Sequence, residues 1–314
     1  MRRGAVVTTL GALFIVVLAV LIWDRMLGQV TTPRDPNAED VVLIVPRGAD
    51  SGRVLRLLRQ AGLAREARLV DLYVHRVRRS AEPQPGEYRL SAASSLVQIL
   101  ETIEAGDVVT HTVVLRPGWT AEQMADVLAE ADVVPRRAFL GAVRDPEVAR
   151  LLGVPAETLD GFLLPDVYAF ARGRSGLEVA RALVERFYEA APVVDFPEGP
   201  GRTRDLIRVA GLLERAPVPP KEWRLYAGLL WNRLELGQTL MPRDADGDAR
   251  VLFGPFDRDP GPEAPSPRPN PGLEALRAAA HPARPGARFL VRREDGGFAY
   301  CGDLDCFYEA LRAL

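Results

Sequence analysis

The sequence contains few of the side chains that bind metals and none of the glycine-rich motifs that bind nucleotides. Three histidines (His75, His111 and His281) and two cysteines occur in 314 residues, and the histidines are widely separated. A zinc site requires a tighter cluster of such ligands, and there is no Gly-x-Ser-x-Gly, Walker or dinucleotide-binding motif. A formal net charge of −2 argues against a general nucleic-acid-binding protein. We therefore expect no metal and no cofactor, and this composition favours catalysis by carboxylates.

Charged residues are absent from residues 5–23, a segment that follows Arg2 and Arg3. An apolar helix of this length crosses a hydrocarbon core, and the end of the segment lacks the small residues of a signal-peptide cleavage site. The two arginines favour a cytoplasmic N-terminus. The sequence therefore predicts a single-pass anchor in the cell (inner) membrane within residues 1–28, a polar linker at 29–40, and an extracytoplasmic or periplasmic remainder.

Residues 41–110 have the pattern of a small module with a strand, two helices, a second strand and a third helix. Gly62 and Gly106 follow helical segments, a position where glycine commonly ends a helix. A unit of this size suits the binding of glycans or of a protein partner. Its many arginines either cover solvated helix faces or attract anionic headgroups or wall polymers; they are Arg47, Arg53, Arg56, Arg59, Arg65, Arg68, Arg76, Arg78 and Arg79.

The second part of the chain, residues 111–314, is organised around residues 206–236. This stretch has the periodicity of two helices joined by a proline-rich turn, and the first helix is almost wholly apolar until it presents Glu214. Such a glutamate is either a solvated helix end, because glutamate is seldom buried without a partner, or a carboxyl held in apolar surroundings. In the second case desolvation raises its pKa, and the group can donate a proton near neutral pH.

Two further segments of this part lack a regular period. Residues 159–170 combine aromatic residues with Asp and Pro, as in the wall of a cleft or in a packed loop. Residues 237–269 are polar and rich in Pro and Gly, and Asp244, Asp246 and Asp248 alternate there. Because the glycine and the final glutamate of an EF-hand are missing, a calcium-stabilised module is only a weak third hypothesis.

Cys301 and Cys306 lie close together near the C-terminus. In an extracytoplasmic compartment this spacing is compatible with a local disulfide across a tight turn, or with two thiols that remain unpaired.

Several motifs follow one another in a fixed order. They are P-G-E-Y at 85–88, L-D-G-F-L-L-P-D-V-Y-A-F at 159–170, L-L-E-R around Glu214, L-L-W-N-R-L-E-L-G at 229–237 and N-P-G-L-E-A-L-R-A-A-A-H-P at 270–282. In these motifs the chain resembles the endolytic murein transglycosylase family, also called YceG-like. The resemblance covers nearly everything after the linker, and it implies an α+β protein. The expected parts are an N-terminal transmembrane helix, a small LysM-like module at 41–110 and a mixed α+β catalytic domain at 111–314.

The resemblance places Glu214 at the family's catalytic carboxyl. It implies cleavage of nascent peptidoglycan strands beside the membrane, with peptidoglycan synthases as potential partners. Glycoside hydrolases normally use two carboxyl groups, but a lytic transglycosylase needs one, because the muramic sugar's own 6-hydroxyl attacks its anomeric carbon. Glu214 would protonate the departing oxygen and then accept the hydroxyl proton, leaving a 1,6-anhydro end. The residues implied to hold the sugar or wall the cleft are Asn232, Asn270, Asp166, Tyr168 and Asp244.

The chain also departs from the family's pattern. Ala216 stands where a second glutamate is expected, the segment after Asn232 is altered so that Asp244 is displaced, and Arg116 replaces a usual acidic residue. These differences are compatible with an active, divergent enzyme. They are also compatible with the alternative function, a non-catalytic protein that binds peptidoglycan or acts as a scaffold for wall synthesis.

Overall fold

A computed structural model describes residues 2–65, 68–76, 82–196, 200–240, 251–254, 269–283 and 286–313. The chain divides into two compact units, Met1–His111 and Thr112–Leu314. Both contain helices and antiparallel strands, so the expected mixed α+β class is confirmed.

The N-terminal helix α1 (Arg2–Thr31) is longer than predicted. Its segment Leu13–Thr31 is long and apolar enough to cross a membrane, which is compatible with an anchor or with a signal sequence. Near its end, however, Met26 and Val30 are only 2% and 0% exposed and belong to the core of the first unit. The prediction of a linker is therefore wrong for residues 29–31, because the helix continues and packs against the unit that follows it.

Within its described residues, the first unit has two strands and three further helices after α1, in the predicted order. These are β1 (Asp40–Val45), α2 (Ser51–Gln60), α3 (Arg68–Arg76), β2 (Gly86–Ser91) and α4 (Leu96–Ala105).

Local sequence explains these elements. The two strands pair antiparallel. Because successive side chains of a strand point to opposite faces, Leu43 and Val45 lie in the core while Ile44 is exposed. Ser95 begins α4 with a capping box, and Gly106 ends it with a left-handed φ of 72°.

The described part of the second unit is mainly helical, with short strands between its helices. Its elements are β3 (His111–Val114), α5 (Ala121–Glu130), α6 (Arg136–Val143), α7 (Pro146–Leu151), β4 (Val167–Phe170), α8 (Gly176–Val194), α9 (Pro200–Leu213), a 3-10 turn (Pro220–Glu222), α10 (Trp223–Glu235), β5 (Val251–Phe253), α11 (Leu273–Ala280), β6 (Phe289–Arg292), β7 (Phe298–Cys301) and α12 (Leu304–Arg312).

Helix α9 lies in the core of this unit and packs against α10 and α11. Leu206, Val209, Ala210 and Leu213 are each at most 1% exposed. Burying this apolar stripe stabilises the helix far more than its intrinsic propensity does. The end of α9, where Glu214 follows, is thereby held close to the other two helices.

Two strands arise where none was predicted. The irregular segment 159–170 ends in β4, which pairs with β3. The polar segment 237–269 contains β5, which pairs with the β6–β7 hairpin to give the order β5–β6–β7. Both strands are short and depend on partners distant in sequence, so no local period marks them.

Cys301 and Cys306 form a disulfide, with their Cα atoms 5.5 Å apart. The bond links the end of β7 to the first turn of α12, whose N-cap is Asp303. It closes a small apolar cluster in which Phe289 and Phe307 are in ring contact, with centroids 5.4 Å apart.

Candidate active site

Glu214 is the first residue after α9. Its backbone N–H donates to the carbonyl of Ala210 at 3.4 Å, and the amides of Arg215 and Ala216 then bond to carbonyls three residues back as the chain turns away. The side chain is partly buried, whereas Arg215 is exposed. The helix therefore delivers one carboxyl to the border between the core and solvent.

Two turns from distant parts of the sequence enclose this carboxyl. The backbone N–H of Gly272, at the start of α11, donates to Glu214 Oε1 at 2.9 Å. Gly118, with φ of +77°, lies on the other side, where an added Cβ would come within 3.2 Å of Glu214 Cβ. Gly272 and Gly118 thus permit a backbone approach that a side chain would obstruct.

The surroundings raise the pKa of Glu214. Burial is the largest cause, because desolvation penalises the charged carboxylate. The hydrogen bond from Gly272 opposes this effect, and the negative charge of Glu274 adds to it. A carboxyl with a raised pKa remains protonated to higher pH and can act as a general acid.

Asn270, expected to hold the sugar, is completely buried and uses its amide within the protein. Its Oδ1 accepts the N–H groups of Gly161 at 2.7 Å and Leu163 at 3.3 Å, and its Nδ2 donates to the carbonyl of Trp119 at 3.1 Å. In this structure Asn270 therefore joins three segments near Glu214, and its amide is not presented to solvent.

The same three segments are also linked through their backbones. The N–H of Gly118 donates to the carbonyl of Asn270, and the N–H of Asn270 donates to the carbonyl of Trp119, both at 2.9 Å. Gly161, with φ of +88°, approaches α9 so closely that an added Cβ would lie 2.5 Å from the methyl of Ile207. The walls of the site are consequently rigid and packed against the helix that carries the carboxyl.

The remaining candidates make hydrogen bonds away from Glu214. Asn232 donates to the carbonyl of Ala287 at 2.7 Å. Asp166 accepts from Arg186 at 2.8 Å, and Tyr168 donates to the carbonyl of Leu164 at 2.6 Å. Asp244 and the two aspartates that follow it lie outside the described residues.

The pKa values of two cleft-wall candidates shift in opposite directions. Partial burial opposes ionisation of Asp166, but hydrogen bonds from Val167 and Arg186 outweigh it and lower the pKa of this carboxyl. Burial, with the charge of Asp166, raises the pKa of Tyr168. At neutral pH one is therefore an ion and the other a neutral hydroxyl, and both stabilise the fold of the 159–170 segment.

Arg233 is a structurally important residue that sequence reasoning missed. It is 0% exposed, and its guanidinium donates to the carbonyls of Thr239 at 2.8 Å, Gly254 at 3.4 Å and Arg288 at 2.9 Å. It also lies over the ring of Phe253, 4.6 Å from the centroid. The side chain joins α10 to β5 and to the approach to β6. Its position in an apolar helix beside Asn232 was the available signal.

Glu274, Gly118 and Gly272 were also missed, because nothing in their local sequence connects them with Glu214. Within the described ranges, no group of three or more His, Cys, Asp or Glu side chains could hold a metal ion.

Comparison with known proteins identifies the family. A profile described as the YceG-like family matches residues 43–253. Two proteins named endolytic murein transglycosylase, from two strains of Streptococcus pneumoniae, are each 22% identical to the chain over 241 and 242 residues. These alignments cover 66% of this chain and 43% of each relative, so the chain spans less than half of their length.

A crystal structure of a YceG-like protein from Listeria monocytogenes is 17% identical, with a TM-score of 0.44, and the match covers 87% of this chain and 99% of that one. The resemblance first seen in the motifs is confirmed by the family profile, whose matched range includes Glu214. The chain belongs to the YceG-like family.

Proposed function

We propose that the chain is a membrane-anchored endolytic transglycosylase that cleaves peptidoglycan strands between the muramic sugar and the following glucosaminyl sugar. The observation that supports this most directly is Glu214, a partly buried carboxyl of raised pKa held between two glycine turns. The names of the two Streptococcus pneumoniae relatives describe the same activity.

The hydrogen bond from Gly272 suggests which oxygen carries the catalytic proton. Because Oε1 accepts that N–H, Oε2 is the oxygen free to hold a proton and to direct it outward. Oε2 would protonate the glycosidic oxygen as its bond to the anomeric carbon breaks. The muramic 6-hydroxyl then bonds to that carbon, and its proton passes to Oε2, which restores the acid and forms a 1,6-anhydro ring without any water.

A second carboxyl group near Glu214, that of Glu274, would permit a hydrolytic variant of this mechanism. It lies in the first turn of α11 and interacts electrostatically with Glu214. A second carboxylate on the opposite side of the sugar would activate water and give a reducing end instead.

The products distinguish the two routes. The full-length chain in detergent, incubated with purified glycan strands, is expected to give products that end in 1,6-anhydromuramic acid and are 18 Da lighter than the hydrolytic ones, a difference that mass spectrometry resolves. Reducing ends alone would replace the lytic mechanism by hydrolysis. Intact strands after incubation with folded protein would favour the non-catalytic alternative.

The first unit supports glycan binding as a second, non-catalytic role. An open surface pocket of about 470 Å³ is lined by the loop after β1 (Gly48, Ala49, Asp50, Ser51, Gly52) and by Val74, His75, Glu82 and Pro83. Polar and apolar groups together suit a sugar, so a LysM-like role belongs to this proposal. Loss of strand binding on Gly52→Trp, which would fill the pocket, tests it; unchanged binding would argue against it.

We propose further that α1 is the membrane anchor, with a cytoplasmic N-terminus and the parts of both units that follow α1 outside. The exposed apolar side chains before Met26 support an anchor, and the Cys301–Cys306 disulfide suits an oxidising compartment. Wall synthases acting at that membrane would be the partners implied by this location. Protease added to intact spheroplasts is expected to digest both units; full protection would contradict the orientation.

A further inference from the structure

The turn that approaches Glu214 also carries an arginine and a tryptophan. The N–H of Trp119 donates to the carbonyl of Arg116 at 3.3 Å, with Pro117 and Gly118 (φ +77°) between them. Pro at the second position and a left-handed Gly at the third are typical of a type II turn. The turn therefore presents the side chains of Arg116 and Trp119 at its two ends.

This turn is held firmly at both ends. Before it, the N–H of Leu115 donates to the carbonyl of Asp166 at 3.0 Å. After it, Thr120 begins α5 with a complete capping box, and Asn270 donates twice to the carbonyl of Trp119. Because a Cβ added at Gly118 would lie 3.2 Å from Glu214 Cβ, these anchors hold the backbone of the turn that carries Arg116 and Trp119 next to Glu214.

The guanidinium of Arg116 is exposed and lies 5.7 Å from the centre of the Trp119 ring. In the part of the chain that the structure describes, no carboxylate lies within ion-pair distance of Arg116. Some other exposed arginines of the second unit are paired, as Arg136 is with Asp126 at 2.6 Å and Arg186 with Asp166 at 2.8 Å, whereas Arg137 has no ion pair among the described residues. The aromatic ring thus orients a cation whose hydrogen-bond donors remain open to a ligand.

We infer that Arg116 and Trp119 form a subsite that binds a carboxylate carried by the muramic sugar. The inference rests on the proposed function and specifies which feature of the strand the site recognises. A tryptophan ring packs against the apolar face of a sugar, and a guanidinium binds a carboxylate with two parallel hydrogen bonds. Muramic sugars bear a lactyl group that is linked to an acidic peptide, whereas glucosaminyl sugars bear no carboxylate. The subsite therefore sets which sugar lies next to Glu214.

Three forms of one strand preparation distinguish whether the subsite binds the carboxylate of the lactyl group or that of the peptide. The first keeps its peptides. The second is stripped by an amidase and retains only the lactyl carboxylate, and the third has all carboxylates converted to neutral methylamides. Binding is measured with the full-length Glu214→Gln chain in detergent, which does not consume the strand.

Removing one exposed ion pair costs about fivefold in affinity. The Glu214→Gln chain is therefore expected to bind the first form, or the first and second, about fivefold more tightly than the methylamidated form. Adding Arg116→Ala abolishes this difference, and Arg116→Lys retains part of it. Arg137→Ala is the matched control, because Arg137 is an exposed arginine of the same unit, on α6, and it leaves the difference unchanged.

Tight binding of the stripped strand identifies the lactyl carboxylate as the ligand, and weak binding of that strand identifies the peptide. Equal affinity for all three strands would overturn the subsite, as would an Arg116→Ala effect of equal size on all three. Cleavage by the chain that retains Glu214 is measured separately on the same strands. Carboxylate-dependent binding without cleavage would reject the proposed activity and support the subsite. Cleavage by a chain whose binding does not depend on the strand's carboxylates would support the activity and reject the subsite.

Discussion

A chain in which Glu214 is replaced by glutamine is expected to cleave glycan strands about 10²–10⁴-fold more slowly than the wild type. Glutamine is nearly isosteric, and its oxygen can still accept the N–H of Gly272, so the site keeps its shape. It has no proton to transfer to the departing oxygen. Single-turnover assays with saturating strand measure the rate constant of cleavage, which is expected to fall while strand binding persists.

The same substitution has a consequence for stability that depends on pH. The folded-state pKa of Glu214 is raised, so ionisation of this group in the folded protein lowers the free energy of unfolding of the wild type. This loss of stability is absent below the unfolded pKa, about 4.3, and it grows as the pH rises through the folded pKa. Urea denaturation is therefore expected to show Glu214→Gln gaining stability relative to the wild type as the pH increases. A constant difference across this range would contradict the buried-acid description.

Glu274→Gln provides the matched control for catalysis. Because the charge of Glu274 helps to raise the pKa of Glu214, its removal lowers that pKa and moves the alkaline limb of the kcat profile to lower pH, with little loss at the optimum. A loss of kcat as large as that of Glu214→Gln would instead make Glu274 a second catalytic carboxylate. Full activity of Glu214→Gln would remove Glu214 from the mechanism.

Asn270→Ala is expected to lower the free energy of unfolding by about 2–5 kcal/mol, because its buried side chain joins three segments. The change leaves the N–H groups of Gly161 and Leu163 without their buried acceptor. It also removes the side-chain hydrogen bond to Trp119, while the backbone bonds of residue 270 to Gly118 and Trp119 remain, so the segment beside Glu214 is held less firmly. Chemical denaturation measures the first effect, and kcat at a temperature where the variant remains folded measures the second.

Asn232→Ala is the comparison for this prediction, because Asn232 makes a single, partly buried hydrogen bond to a carbonyl. Its loss is expected to cost about 1 kcal/mol. If the two variants are equally stable, the three-way role of the Asn270 amide is wrong. Asn270→Ala is also combined with a second, stabilising substitution that restores folding. If that folded double variant has wild-type kcat, Asn270 stabilises the unit without positioning Glu214.

Much of the fold follows from local patterns. The capping boxes at Ser95 and Thr120, the glycine stop at Gly106 and the apolar stripe of α9 act over one or two helical turns, so neighbouring residues are sufficient to predict them. Glu214 could be singled out for the same reason, since it ends a helix that is otherwise apolar. Strand β5 could not be predicted in this way, because it pairs with a strand far along the chain.

The sequence by itself determined the order of elements in the first unit, the apolar N-terminal segment and the candidate carboxyl. Only the tertiary structure decided what surrounds that carboxyl: Gly272, 58 residues from Glu214, donates to it, and Asn270 bonds to Gly161 across 109 residues. It also gave the Asn270 amide three hydrogen bonds inside the protein, as a fully buried amide requires, and these bonds could not be read from its local sequence. Contacts of this range have no period along the chain, and they form only when helices pack and bring distant turns together.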